Sequence, residues 1–406
     1  MNNETCENFV EITQYEALGK LPNPFVFDDG TPLKAPEDWA KRRAEMYKTA
    51  VELQYGTMPP APEFLEVIPL YMGVDRRYYR IVSGTKKNPV NFQMVVFPAK
   101  SKKAPVVISG DLCFAYAYNK EYVDTFLNSD INLVFFNRTE LASDVAQYNL
   151  DRIASKTCGD YVEGKKIFDV IKTGNCGGPL KAAYPEYTFG TIGAWAWGYS
   201  RCVDALEYLG IADMNLIAFT GHSRGGKTAL LAGVLDERAT IVNPNGSGMG
   251  GCGGYRFNVS IKTDELGVKL CQTLSDMNSR FPAWLGQGMR EYMGREQELP
   301  FDSHFLKAMI APRIFLDSEA ARDHWANPVG AWQTSMAAKE VYKFLGCEEN
   351  ILWHFRSGGH GQKLEDIALL VNIINHVRNG EKLSDSFYKL PFEPMLLEFD
   401  WKCPEI

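Results

Sequence analysis

Nowhere in the 406 residues does an apolar run approach the roughly 20 that a membrane-spanning helix needs. A surplus of positive charge is missing too: 43 Lys and Arg stand against 50 Asp and Glu, a net charge of -7. Nucleic acid and anionic membrane are therefore not expected as partners. The nine cysteines are odd in number and scattered, with no C-x-x-C pair. That spacing argues against a zinc site and fits reduced thiols, so no metal or cofactor is expected. The start, Met1-Asn-Asn-Glu-Thr-Cys-Glu-Asn, lacks the basic and apolar stretches of a secretory signal. A cytoplasmic location is the expectation, or a secreted one if a leader has been removed. Repeats, low-complexity tracts and Pro/Ser-rich linkers are also missing, which predicts a single domain over 1–406. Two irregular parts are expected within it, a segment to about residue 36 punctuated by Pro22, Pro24, Pro32 and Pro36, and a loop-rich insertion over about 139–190.

What is present is a soluble composition, 45% hydrophobic and 23% charged, in which strand and helix signals alternate. Alternation of this kind predicts an α/β fold with a mostly parallel central sheet covered by helices on both faces. After a helix from Pro36 to about Tyr55, three β-branched and aromatic runs between Phe64 and Ala99 predict antiparallel strands at the N-terminal edge of the sheet. Residues 105–110 and 131–137 read as central strands, the second almost wholly apolar. Helical spacing of Ile192, Trp195, Ala196, Tyr199, Val203 and Leu206 predicts a helix over 191–209. Further strands are expected at 239–243, 313–317 and 350–355, and helices at 331–345 and 364–377.

Asn215-Leu-Ile-Ala-Phe-Thr-Gly-His-Ser-Arg-Gly-Gly-Lys227 carries the strongest local signal. A buried strand runs into a G-x-S-x-G turn (Gly221, Ser223, Gly225) and then a helix. This is the pattern of a nucleophile elbow, whose small residues let a strained turn present a serine hydroxyl. Ser223 is the candidate nucleophile. A hydroxyl needs a base to take its proton, and in such folds the chain order is serine, acid, histidine. His360, in the glycine-rich stretch after the predicted last strand, is the candidate base. His222 is expected to pack behind the elbow, His354 lies within a predicted strand, and His376 on a terminal helix. The acid is expected in Asp317-Ser-Glu-Ala-Ala-Arg-Asp-His-Trp325. Asp323 is preferred, because a loop position past the strand end can reach the imidazole, with Glu319 and Asp317 as alternatives. The backbone amide of Arg224 is the natural oxyanion donor. Lys227, one helical turn beyond Ser223, shares its face and is a candidate substrate contact.

These residues resemble the glucuronoyl esterases, the fifteenth carbohydrate-esterase family. Beyond the elbow, the likeness extends over Ala194-Trp-Ala-Trp-Gly-Tyr-Ser-Arg201 with Asp204 and Glu207, the Gly246-Ser-Gly248 turn, Pro300-Phe-Asp-Ser-His304, Ala311-Pro-Arg313, Asp323-His-Trp-Ala-Asn-Pro328 and Gly358-Gly-His360. It implies an α/β-hydrolase fold and a serine esterase that cleaves esters of (4-O-methyl-)glucuronic acid with alcohols, taking a small-molecule or oligosaccharide substrate by way of an acyl-enzyme. Carried over, Ser223 is the nucleophile, His360 the base and Arg224 an oxyanion donor, with substrate contacts from Lys227, Gln272, Trp325 and Trp284. The sequence departs from the family in three places. Many members carry a catalytic glutamate just before the Gly-Ser-Gly turn, where Asn243-Pro-Asn245 offers no carboxylate; other members use the later loop, which favours Asp323. A sugar-contacting glutamate near Trp284 is replaced by Arg280 or Phe281. His222 stands where fungal members tend to have cysteine. Two rival readings remain: an acetyl or methyl ester carbohydrate esterase, which the missing glutamate permits, and a non-catalytic carbohydrate-binding relative that retains the scaffold.

Overall fold

The structure is a computed structural model that describes residues 10–144, 175–263 and 267–405. Twelve strands follow in chain order: β1 (Ile12–Ala17), β2 (Phe64–Met72), β3 (Arg77–Gly84), β4 (Pro89–Phe97), β5 (Val106–Ser109), β6 (Asn132–Phe136), β7 (Ile217–His222), β8 (Ile241–Asn245), β9 (Phe257–Thr263), β10 (Gly267–Leu270), β11 (Ile314–Ala320) and β12 (Ile351–Arg356). The chain divides into two compact units, one of residues 1–50, 220–273 and 294–406, the other of 51–219 and 274–293. Strand β7 belongs to both, since the chain passes from one to the other between Phe219 and Thr220.

In the unit holding 51–219, the order from β7 outward is β5, β6, β4, β3, β2. Strands β5 and β6 run parallel, and β6, β4, β3 and β2 are successively antiparallel, as the three N-terminal runs predict. Leu133, Val134, Phe135 and Phe136 of β6 are fully buried, which is why that strand reads as an unbroken apolar run. The helix Thr191–Leu209 takes the predicted bounds and buries 14 of its residues, including Trp195, Trp197 and Tyr199. A helix apolar on so much of its circumference must be enclosed. Gly198 permits the close fit, because a Cβ there would come within 2.5 Å of the Phe136 ring.

In the other unit, β7 continues into the order β8, β11, β12, with β8, β11 and β12 parallel. The helices Arg224–Leu235, Pro328–Phe344 and Leu364–Asn379 belong to it. This unit also carries a second, three-stranded antiparallel sheet in the order β1, β9, β10, which the sequence patterns do not reveal. Strand β1 lies inside the N-terminal segment read as irregular. Its residues are largely polar and half-exposed, and its hydrogen bonds come from β9, about 240 residues away, so no local periodicity announces it. Strand β11 runs three residues beyond its predicted end and takes in Glu319.

Most of the expected loop-rich insertion, residues 145–174, lies outside the described residues. Among the described residues no helix is long and apolar enough to cross a membrane.

Candidate active site

Strands β7, β8, β11 and β12 end at His222, Asn245, Ala320 and Arg356, and Ser223, Asp323 and His360 follow the ends of β7, β11 and β12. The carboxyl ends of parallel strands are where open α/β sheets place their sites. Ser223 stands between β7 and the helix Arg224–Leu235 with φ 58° and ψ −119°, a conformation that non-glycine residues rarely adopt. The turn holds because its flanks are bare. A Cβ on Gly221 would lie 2.4 Å from the Gly225 carbonyl oxygen. The Ser223 amide donates to the Asn245 carbonyl at 2.8 Å, and the Ser223 carbonyl accepts from the Lys227 amide at 3.1 Å, closing the first helical turn.

His360 comes from the loop after β12, 137 residues from Ser223, and its Nε2 lies 2.9 Å from Ser223 Oγ. Its Nδ1 lies 2.5 Å from Asp323 Oδ2. A carboxylate can only accept, so the Nδ1 proton lies between these two groups and Nε2 is left to accept the serine hydroxyl. Asp323 Oδ1 accepts from the Ala326 amide at 3.4 Å, so both carboxylate oxygens are engaged. Asp323 is buried, whereas the His360 side chain is 47% exposed.

The alternative acids are placed elsewhere. Asp317 Oδ2 accepts from Lys307 Nζ and from Ser335 Oγ, each at 2.7 Å. Glu319, inside β11, accepts the Ser247 amide at 3.2 Å. Burial, reinforced by Asp317 and Asp323, pushes the Glu319 carboxyl well above the usual carboxylate range. Cys252, Asp317 and Glu319 bring ligand atoms within 4.8 Å of one another. Burial also raises the Cys252 thiol, and Lys307 already neutralises Asp317, so this donor set is poorly suited to a cation.

Lys227 is buried, and its ammonium donates to the Ser247 carbonyl. Ser247 is thereby gripped from both sides, by Glu319 through its amide and by Lys227 through its carbonyl. Burial lowers the Lys227 ammonium to about 8, against the opposing pull of Glu319. The Gln272 amide nitrogen donates to the Trp325 carbonyl at 3.3 Å, which joins these two candidate contacts. The Gln272 side chain is buried, and its Nε2 finds no hydrogen-bond partner among the described residues. Arg224 opens the helix after the serine and is half-buried.

Trp284 belongs to the other unit. There it is buried, with Phe281 stacked on its ring at 3.7 Å and 10° and Trp195 edge-on at 6.4 Å. Its Nε1 lies 3.4 Å from Asp144 Oδ1.

His222 is not behind the elbow. Its ring lies 4.7 Å from that of His360, tilted by 45°, and its Nδ1 is 2.6 Å from Asn245 Oδ1. The residue before the elbow serine ends β7 at the same sheet edge that the histidine loop must reach, a signal the sequence offered. Asn245 had no comparable signal, because its partner lies 23 positions away on another strand. Of the remaining histidines, His304 is buried with Nε2 2.8 Å from the Pro22 carbonyl, and His354 lies in β12, 3.7 Å from Asp366. His376 Nδ1 donates to the Glu381 carbonyl at 2.6 Å.

A family profile described as "Glucuronyl esterase, fungi" matches residues 177–346, a stretch that includes Ser223 and Asp323. The 4-O-methyl-glucuronoyl methylesterase 1 of Wolfiporia cocos is 28% identical over 389 residues, covering 94% of this chain and 82% of its own. The 4-O-methyl-glucuronoyl methylesterase of Schizophyllum commune is 27% identical over 361 residues, covering 88% of this chain and 81% of its own. Among solved structures, a carbohydrate esterase family 15 glucuronoyl esterase from Caldicellulosiruptor kristjansonii superposes over 100% of both chains with TM-score 0.77 and 26% identity. The profile, these relatives and this solved structure all support a glucuronoyl esterase relationship for the chain. The chain has an α/β-hydrolase fold and is a carboxylic ester hydrolase. Similarity to the Hypocrea jecorina glucuronoyl esterase catalytic domain, at 23% identity and TM-score 0.72, extends the likeness of fold over 96% of this chain.

Proposed function

We propose that this esterase hydrolyses esters between (4-O-methyl-)glucuronic acid and an alcohol by a two-step acyl-enzyme route. The observation that carries the mechanism is the unbroken chain from Asp323 through His360 to Ser223, with contacts of 2.5 and 2.9 Å. Ser223 attacks the ester carbonyl as His360 Nε2 takes its proton. Asp323 holds the imidazole by Nδ1 and stabilises it when charged. The alcohol leaves with the proton from Nε2, and water then releases the uronic acid by the same steps. Negative charge on the carbonyl oxygen is met by the Arg224 amide at the start of its helix, where a single donor contributes about 2.7–4 kcal/mol to the transition state.

The uronate part rests on the family likeness and on the groups around the serine. Lys227, Gln272 and Trp325 supply an ammonium, an amide whose donor is unmatched, and an aromatic face, which together suit a sugar ring carrying a carboxyl-derived group. The test is turnover of benzyl glucuronate against acetylated xylose and p-nitrophenyl acetate. Preference for the uronate ester is expected, and a clear preference for acetate would end the uronate assignment. A fluorophosphonate should label Ser223; failure to label would leave a carbohydrate-binding relative without catalysis.

A further inference from the structure

We propose that His222 is a positioning residue for the His360 base and that Asn245 fixes its orientation; the inference rests on the triad reading above. His360 stands on a loop where Gly358, Gly359 and Gly361 surround it in sequence, and a Cβ added at Gly359 or Gly361 would meet nothing within 4 Å. Arg356 holds the loop backbone through the Ser357, Gly359 and Gly361 carbonyls, but the flanking glycines place no side chain against the imidazole. The edges of the ring are set by Asp323 and Ser223, but two edge contacts leave its face open to rotation. The His222 ring, 4.7 Å away and tilted by 45°, is the neighbour close enough to limit that rotation.

His222 is itself tightly set. It is the last residue of β7, next to the strained Ser223, and its Nδ1 donates to Asn245 Oδ1 at 2.6 Å. The backbone carbonyl of the same Asn245 accepts the Ser223 amide at 2.8 Å. One residue thus anchors the nucleophile by its main chain and the flank of the base by its side chain. An amide suits this position better than a carboxylate. Desolvation of the half-buried His222 ring and the neighbouring His360 push its protonation down to about 4, and the Asn245 amide opposes this only by a neutral hydrogen bond, so the ring stays neutral. The charged and titratable groups around it are His360, Asp323 and Asp366, and a second positive charge there would oppose the imidazolium that forms on His360 during attack. Asn245 stands just before the Gly246-Ser-Gly248 turn, and its side chain serves His222 rather than His360.

Three variants decide it: His222→Ala removes the flank, Asn245→Ala releases it while keeping the backbone contact, and His222→Phe keeps a flat ring. Each is followed by the rate of fluorophosphonate labelling of Ser223, by kcat and KM on benzyl glucuronate, and by the downfield proton resonance of the His360–Asp323 hydrogen bond. The expected result is a loss of about 10- to 100-fold in kcat and in labelling for His222→Ala, as misorientation of a reacting group costs. KM should change by less than about twofold, and the downfield resonance should broaden. Asn245→Ala should lose part of the rate, and His222→Phe should recover it to within about threefold of the parent. Parent-like labelling and an unchanged resonance in His222→Ala would overturn the inference. Equal losses in His222→Phe and His222→Ala would overturn it too, since a polar edge rather than a flank would then be at work. Labelling needs no uronate, so failure of the substrate assignment shows as poor turnover with labelling intact and is not confused with either result.

Discussion

Asp323 Oδ2 lies 2.5 Å from His360 Nδ1, while Glu319, only four residues earlier, turns its carboxyl to the Ser247 amide. The two acids are thereby given different tasks, and exchanging each for its amide separates them. Asp323→Asn presents a group that can donate where only an acceptor fits, favouring the wrong imidazole tautomer, and kcat should fall by about 10⁴. Glu319→Gln keeps a side-chain oxygen that can still accept the Ser247 amide and does not touch His360, so the loss should stay below about tenfold. Equal losses in the two variants would contradict this division.

Removing the attacking oxygen should be the most severe change. Ser223→Ala is expected to lower kcat by about 10⁶ and to abolish fluorophosphonate labelling, with the circular dichroism spectrum unchanged. Turnover retained at the parent level would remove Ser223 from the mechanism.

Lys227 should impose a pH dependence on substrate binding. Its ammonium, lowered by burial to about 8, is charged below that value and loses its proton above it. KM for a uronate ester should therefore rise as pH increases through about 8, while KM for p-nitrophenyl acetate stays flat. Lys227→Met should abolish this dependence and reduce kcat/KM by about 10- to 150-fold, the loss expected for one charge-assisted hydrogen bond. A pH-independent KM in the parent would exclude the contact.

Buried histidines should govern stability in mild acid. Burial holds His304 neutral, with its protonation lowered from 6.5 to about 3, and His222 is lowered in the same direction to about 4. Between these values and 6.5 the unfolded chain takes up protons that the folded one refuses. Their contribution is complete above pH 6.5 and is lost as the pH falls below it, by about 1.4 kcal/mol per pH unit for each proton. Urea unfolding of His304→Gln, whose amide can still donate to the Pro22 carbonyl, should show an acid slope shallower by about one proton. An identical slope would assign the acid sensitivity to other groups.

The legible parts of the fold were those whose signal is local. Leu133–Phe136 announce a doubly covered strand because every side chain is apolar, and the helix over 191–209 because its apolar residues repeat at helical spacing. G-x-S-x-G could be read for a similar reason: steric crowding at the turn, 2.4 Å at Gly221, forbids a side chain at a fixed position two residues before the serine. Strand β1 could not, since its register is dictated by β9. The length of β11 escaped as well, because Ser318 and Glu319 look like loop residues until the neighbouring strands bury them.

By itself, then, the sequence determined the element types, the elbow serine and the order in which acid and base must follow it, since each depends on backbone sterics or on side-chain periodicity within one segment. Only the tertiary structure decided which of three carboxyls meets His360, that Glu319 and Lys227 grip the same Ser247 peptide, and that His222 lies against the base with Asn245 behind it. Those outcomes turn on distances of a few ångström between residues 20 to 138 positions apart. They are fixed by where four neighbouring strands of the sheet happen to end, and a linear chain carries no local record of that.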